Sequence, residues 1–341
     1  MLDWMDAVSP ADNDGEANHH WRGHTAFVKN IPIIIGRKQH FYMVALSSIF
    51  SSPDCQPAHA QSRIMGRLLL IGITMSQTAL PGIYIPHGGG PCFFMDWPGD
   101  PHLWDEMGQF LRGLGTTLPA RPKAIVVVSA HWEEEAFTLT GGTHPSLFFD
   151  YYGFPPHTYE LKYPAPGDPA LAERVSTLLS AAGLPARIDR ERGFDHGMFI
   201  PLLLTYPEAD IPVIQLSLKT GLDPALHLGA GKALAPLREE GVLLLGSGMS
   251  FHNMQGFFHG GFDHPSRQFD EWLTRAAAAP QAERESLLQQ WDQAPGARAS
   301  HPREEHLLPM MVIAGAGGSA PGSKIFECDI KGSTISAFSF T

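Results

Sequence analysis

Cysteine is scarce in this chain. Cys55, Cys92 and Cys328 stand far apart, which fits neither a disulfide framework nor a thiolate zinc site. The expectation is a reducing, cytoplasmic setting. Cationic charge is in deficit as well, with a formal net charge of -11. That argues against nucleic acid or an anionic membrane surface as partner. No apolar run is long enough to span a bilayer. One stretch imitates a secretory signal: Arg37-Lys38, then Phe41 to Phe50, then Ala58-His59-Ala60. It begins too far from the N-terminus to act as one and reads as chance.

What is present suits a large globular domain. The chain has 341 residues, 43% hydrophobic and 17% charged, enough for a sizeable core. Residues 1–74 stand apart. They lack clean periodicity, their charges of opposite sign balance, and His19, His20 and His24 sit in a solvated context. We read them as a disordered or over-called N-terminal extension, with Met75 the natural start of the domain. The whole net charge then belongs to 75–341.

From Leu80 the pattern is orderly. Ile83–Pro86, Ala124–Val128, Phe137–Thr140, Ile211–Leu218 and Val242–Leu245 read as strands. Leu103–Leu114, Ala170–Ala182, Pro224–Leu237, Ser266–Ala278, Glu283–Trp291 and Leu307–Ala314 read as helices. Met198–Leu204 is an apolar segment, and the tail from Lys324 to Phe340 reads as strands. Residues 143–167 form a long loop rich in aromatics, proline and glycine, a kind that usually serves a site. Alternating strands and helices, with no repeat or internal linker, predict one α/β domain. Its central sheet should be mixed or mostly parallel and flanked by helices.

Histidine is plentiful, with 17 residues, and imidazole is a common ligand for iron and zinc. Three histidines share one context. His87 follows the first strand and precedes Gly88-Gly89-Gly90, a turn expected to leave open space beside it. His131 follows Ala124–Val128, and His252 follows Val242–Leu245 and a glycine turn. Each is expected just past the carboxyl end of a strand, where open α/β sheets bind ligands. His196, between Asp195 and Gly197, and His306, after Glu304 and Glu305, lie in loops beside the same elements. His102, His144, His157, His227, His259, His264 and His301 have weaker context. His227, on a helix, is expected at the surface. Cys92 is expected to be a small buried thiol, and Trp132 and the Phe148–Phe154 aromatics to serve packing.

Several stretches together resemble the class III extradiol ring-cleaving dioxygenases, the superfamily of protocatechuate 4,5-dioxygenase catalytic subunits, and most closely its DOPA-dioxygenase-type branch. They are Pro86-His87-Gly88-Gly89-Gly90-Pro91, Ser129-Ala130-His131-Trp132, Tyr152-Gly153-Phe154-Pro155 with Tyr163-Pro164-Ala165-Pro166-Gly167, Gly193-Phe194-Asp195-His196-Gly197, His252-Asn253, and Glu305-His306-Leu307-Leu308-Pro309. They run in the family's order across nearly all of 75–341. The triple glycine departs from the branch, where a serine often follows the first histidine.

The resemblance implies one mononuclear divalent metal, iron(II) by preference and zinc(II) in some members, with O₂ and a small catechol as partners. It implies His87 and His131 as metal ligands, with a third from Glu305 or His306, of which His306 matches the branch better. His252 is then a further ligand or an acid–base group. His196 is a second acid–base or substrate-contacting histidine, with Asp195 or another carboxylate orienting a ring. The reaction implied is extradiol cleavage to a ring-opened semialdehyde. Two other readings share the residues. One is a zinc-dependent hydrolase on a similar scaffold. The other is a non-catalytic protein of the Memo type, whose branch places a cysteine near the last ligand, whereas Cys328 lies well past His306.

Overall fold

The computed structural model describes residues 79–341. The expectations for 1–74, including the His19/His20/His24 cluster and the start at Met75, lie outside the described residues. The β-branched and leucine-rich runs pair into an eight-stranded sheet, in the order β4-β3-β5-β2-β6-β1-β8-β7. The strands are β1 (Gly82–Pro86), β2 (Ala124–Glu134), β3 (Phe137–Thr140), β4 (Ala186–Asp189), β5 (Val213–Lys219), β6 (Val242–Gly248), β7 (Gly322–Ile330) and β8 (Ser333–Phe340). The central four, β5-β2-β6-β1, are mutually parallel. β3 joins β5 antiparallel and carries β4. β8 joins β1 antiparallel and forms a hairpin with β7. Lys331 and Gly332, at φ 52° and 83°, supply the two left-handed positions that a tight hairpin requires.

The continuous apolar runs are explained by burial on both faces. Ile125, Val127, Leu243 and Leu245 pack into one core layer, and Val126, Val128, Leu244 and Leu216 into the other. Alternate residues of one strand thus serve opposite layers. Among the described residues ten α-helices flank the sheet: α1 (Asp105–Thr117), α2 (Pro169–Ala181), α3 (His196–Thr205), α4 (Pro224–Leu234), α5 (Pro236–Glu239), α6 (Met254–His259), α7 (Asp263–Ala278), α8 (Gln281–Gln289), α9 (Ala297–Ser300) and α10 (Leu308–Ala316). α2 starts where Asp168 accepts from the backbone N–H of Leu171 at 2.9 Å and Pro169 opens the first turn. None of the described helices is long and apolar enough to cross a membrane.

Several boundaries differ from expectation. Pro224–Leu237 is two helices, because Pro236 has no N–H to continue the ladder. β4 was not foreseen: its four residues are at most half-buried at the sheet edge and carry no apolar alternation strong enough to read. Met198–Leu204 belongs to α3, whose residues are nearly all buried. No helical stripe marks it, since apolar residues surround it on every side. Pro201 lies inside this helix and has no N–H for the carbonyl of Gly197. The hydroxyl of Ser247, on β6, donates to that carbonyl instead and ties the start of α3 to the sheet.

Candidate metal centre and active site

The parallel central strands bring their carboxyl ends to one edge of the sheet. His87 directly follows β1, and its backbone N–H donates to Gly248 at the end of β6 at 3.1 Å. His131 is not past its strand as expected. It lies within β2, where an irregularity between Val128 and Glu133 breaks the register with β5 and re-aims the side chains. His306 lies two residues ahead of α10. Its carbonyl accepts from the buried Tyr84 hydroxyl at 2.7 Å and from the backbone N–H of Met249 at 3.2 Å. A side chain on Gly248 would come within 2.1 Å of that same carbonyl, so glycine there lets the His306 loop close on β6.

These elements bring three imidazoles to one point. Nε2 of His131 lies 3.2 Å from Nε2 of His87 and 3.3 Å from Nε2 of His306. The opposite nitrogens are turned to acceptors. His87 Nδ1 is 2.8 Å from the carbonyl of Gly88, and His306 Nδ1 is 2.9 Å from Oε1 of Glu305. His131 Nδ1 faces Oδ2 of Asp150 at 3.8 Å. A carbonyl or carboxylate can only accept, so His87 and His306 spend their N–H outward and point lone pairs inward. One N–H on His131 would serve at most one of the two. A cation serves all three. Two nitrogens bound to one ion at about 2.1 Å sit roughly 3.0–3.4 Å apart for right-angle to tetrahedral geometry, and the observed spacings fall within that range. Burial first, and neighbouring imidazoles second, hold the pKa values of His87, His131 and His306 well below the usual histidine range. All three are therefore neutral near pH 7, the form that binds metal. The donor set fits one divalent ion.

Two flanking histidines repeat a single pattern. His196 Nδ1 is 2.8 Å from Oδ1 of Asp150, whose other oxygen faces His131. His252 Nδ1 is 3.3 Å from Oε1 of Glu305, the atom that also accepts from His306. The His252 ring stacks on His306 with centroids 3.4 Å apart. Each carboxylate thus joins one central imidazole to one outer imidazole. Burial opposes ionisation of both acids, yet their histidine hydrogen bonds hold the Asp150 and Glu305 carboxyls below the usual range. Glu305 therefore stands behind His306 rather than at the convergence point, and His252 groups with Glu305 and His306 rather than with His87 and His131.

Several expectations need correction. The carboxylate at His196 Nδ1 is Asp150, the other carboxylate that the expectation left open, and not Asp195. Asp195 is fully buried beneath the site and accepts from Ser129 Oγ at 2.8 Å and from Gln215 Nε2. Burial raises its pKa. Asp150 sits within the long aromatic loop, and an acid among Phe149 and Tyr151 was the one signal that pointed to it. The triple glycine does not open space. A side chain on Gly88 would meet Cys92 Sγ at 2.5 Å, and one on Gly90 would meet Phe154 at 3.1 Å. These glycines admit covering side chains rather than leaving a void. His227 is fully buried, not on the surface: Nδ1 is 2.7 Å from the Asp223 carbonyl, and Nε2 accepts the Lys219 N–H. His301 is buried as well, with Nε2 2.8 Å from the Ser250 carbonyl. His102, His144, His157, His259 and His264 are exposed. Cys92 is the buried thiol expected, its pKa raised by burial. Cys328 is buried on β7, paired with Ile335, and belongs to none of the ligand clusters among the described residues. Trp132 is buried under the Arg192 guanidinium, 4.4 Å from its ring, and Phe148 lies 5.3 Å from the same group.

Comparison with known proteins identifies the family. The catalytic LigB subunit family of aromatic ring-opening dioxygenases matches residues 81–339. A 4,5-DOPA dioxygenase extradiol from Portulaca grandiflora is 44% identical over 234 residues, covering 66% of this chain and 86% of its own. The protein of that name from Escherichia coli K12 is 38% identical, over 73% of this chain and 89% of its own. A crystal structure of an uncharacterized Escherichia coli K12 protein superposes with a TM-score of 0.62 at 32% identity, covering 77% of this chain and all of that one. The convergent imidazoles at the carboxyl edge of the sheet thus sit in a chain that belongs to the catalytic LigB family of aromatic ring-opening dioxygenases, enzymes of extradiol cleavage on catechol-type substrates.

Proposed function

We propose that His87, His131 and His306 hold a single iron(II) ion, and that the domain over 75–341 cleaves a catechol bearing a side chain, as in DOPA. The observation that carries this reading is the convergence of three Nε2 atoms at 3.2 and 3.3 Å, with their N–H groups turned outward. Bound there, the ion supplies a Lewis-acid anchor for the catechol oxygens and redox chemistry toward O₂, the second of which zinc lacks. The choice of a DOPA-like catechol rests on relatives named 4,5-DOPA dioxygenase extradiol.

The protein's own groups do the proton work. Asp150 fixes the hydrogen of His196 on Nδ1, which leaves Nε2 free to take a proton from a substrate hydroxyl. Glu305 does the same for His252. The two imidazoles divide removal of hydroxyl protons from return of a proton as the O–O bond breaks. His252 acts here as an acid–base group and not as a fourth ligand, because it groups with Glu305 and His306 rather than with His87 and His131 and its ring lies flat against a ligand candidate.

The test is oxygen uptake by protein loaded anaerobically with iron(II), across a catechol panel that includes DOPA. A yellow ring-opened product formed with one O₂ per catechol is expected. A protein that binds iron at one equivalent yet consumes no oxygen with any catechol refutes the reading.

A further inference from the structure

In the loop ahead of α10, Arg303 is a charged side chain that the mechanism above does not use. The two terminal nitrogens of Arg303 meet the two carboxylate oxygens of Glu133 at 2.6 and 2.7 Å, a parallel two-point pair. The nitrogen bound to Oε1 of Glu133 also lies 3.4 Å from Oε2 of Glu305. Glu133 is two residues beyond His131 on β2, and Glu305 directly precedes His306. The two histidines come from segments 175 positions apart, and Arg303 spans them.

We propose that Arg303 is a positioning residue. It clamps the tip of β2 to the His306 loop and holds Oε2 of Glu305, so that Oε1 stays on the Nδ1 atoms of His306 and His252. The proposal rests on the metal-centre reading and adds to it the part that sets the spacing. A planar fork suits this task because it fixes direction as well as distance. The arginine side chain is 55% exposed, and exposed ion pairs contribute little to global stability. Its effect is therefore expected at the site and not in the melting temperature.

The experiment uses the full chain with Arg303→Gln, Glu133→Gln and the double variant. Cobalt(II) affinity is measured anaerobically by competition with a chromophoric chelator, followed by kcat and KM for a catechol on the iron-loaded protein. Each single variant should weaken cobalt binding about 10-fold, and the double variant no further. The kcat should fall with KM unchanged, and the thermal midpoint of the metal-free protein should stay in place. Arg303→Lys, which keeps the charge but not the fork, should recover only part of the affinity. Glu133→Gln breaks the clamp from the strand side, so the test survives failure of an arginine variant to fold. Wild-type cobalt affinity in Arg303→Gln overturns the clamp, and so do losses that multiply in the double variant. A raised KM with normal affinity also overturns it, since the arginine would then be touching substrate. Absence of metal binding by the wild-type protein removes the metal-centre reading itself, an outcome distinct from a wild-type protein that binds and a variant that binds equally well.

Discussion

Oδ1 of Asp150 lies 2.8 Å from Nδ1 of His196 and 3.0 Å from the backbone nitrogen of the same residue. One acceptor atom thereby fixes both the ring's tautomer and its placement at the start of α3. An asparagine in that position can turn an N–H toward Nδ1 and reverse the tautomer, which places the hydrogen on the atom that should accept one. Asp150→Asn is expected to lower kcat by about 100-fold while metal content stays near wild type. Steady-state kinetics and metal analysis on one preparation check this. Equal loss of metal and turnover would make Asp150 part of the metal-holding set instead.

His131 and His252 offer the sharpest contrast between holding the metal and moving a proton. His131 Nε2 faces two other Nε2 atoms, whereas His252 meets Glu305 and the face of His306. His131→Ala should lose bound metal. His252→Ala should retain it, with turnover down by about 100-fold or more. Metal analysis after gel filtration decides the point, and loss of metal from both variants would make His252 a ligand.

Part of this candidate site was legible where a strand end announces itself. An apolar run that stops at Pro86-His87 marks the sheet edge without any knowledge of packing. What the sequence hid were the partners. Asp150 lies 46 positions from His196 in a loop with no periodicity, so only folding brings the two together. β2 continues through His131 because the bulge after Val128 is a matter of register with β5, which no local pattern encodes. His227 looked like a surface residue on a helix, yet its ring is buried because both nitrogens find backbone partners. A buried imidazole with both nitrogens satisfied leaves no trace in hydropathy.

The approach of the His306 loop to β6 depends on the absence of a side chain at Gly248, where an added carbon would sit 2.1 Å from the His306 carbonyl oxygen. Neither partner is a flexible tip that can step aside. The same carbonyl is already fixed by the Tyr84 hydroxyl and the Met249 N–H. Gly248→Ala should cost about 1–3 kcal/mol of stability and displace His306, weakening metal binding as well. Urea unfolding with a cobalt titration tests both effects. A variant with normal stability and normal affinity would show that this contact does not set the site.

The buried histidines away from the metal site give the fold an acid sensitivity with a definite sign. Burial, the largest cause, lowers the pKa of His227 to about 4 and that of His301 to about 3, while in the unfolded chain each titrates near the ordinary value of about 6.5. Between those limits the unfolded state binds protons that the native state refuses, so stability rises with pH and falls as the solution is acidified. Each residue adds up to about 1.4 kcal/mol per pH unit, so each removes about 2 kcal/mol between pH 7 and pH 5. Replacing His227 by glutamine takes away one titrating group and leaves the other. His227→Gln should begin less stable at pH 7, having lost the two backbone contacts, yet lose about 2 kcal/mol less than wild type on acidification to pH 5. Urea midpoints of metal-free protein at the two pH values measure the difference. Parallel losses in variant and wild type would mean that His227 takes up its proton without unfolding the chain around it.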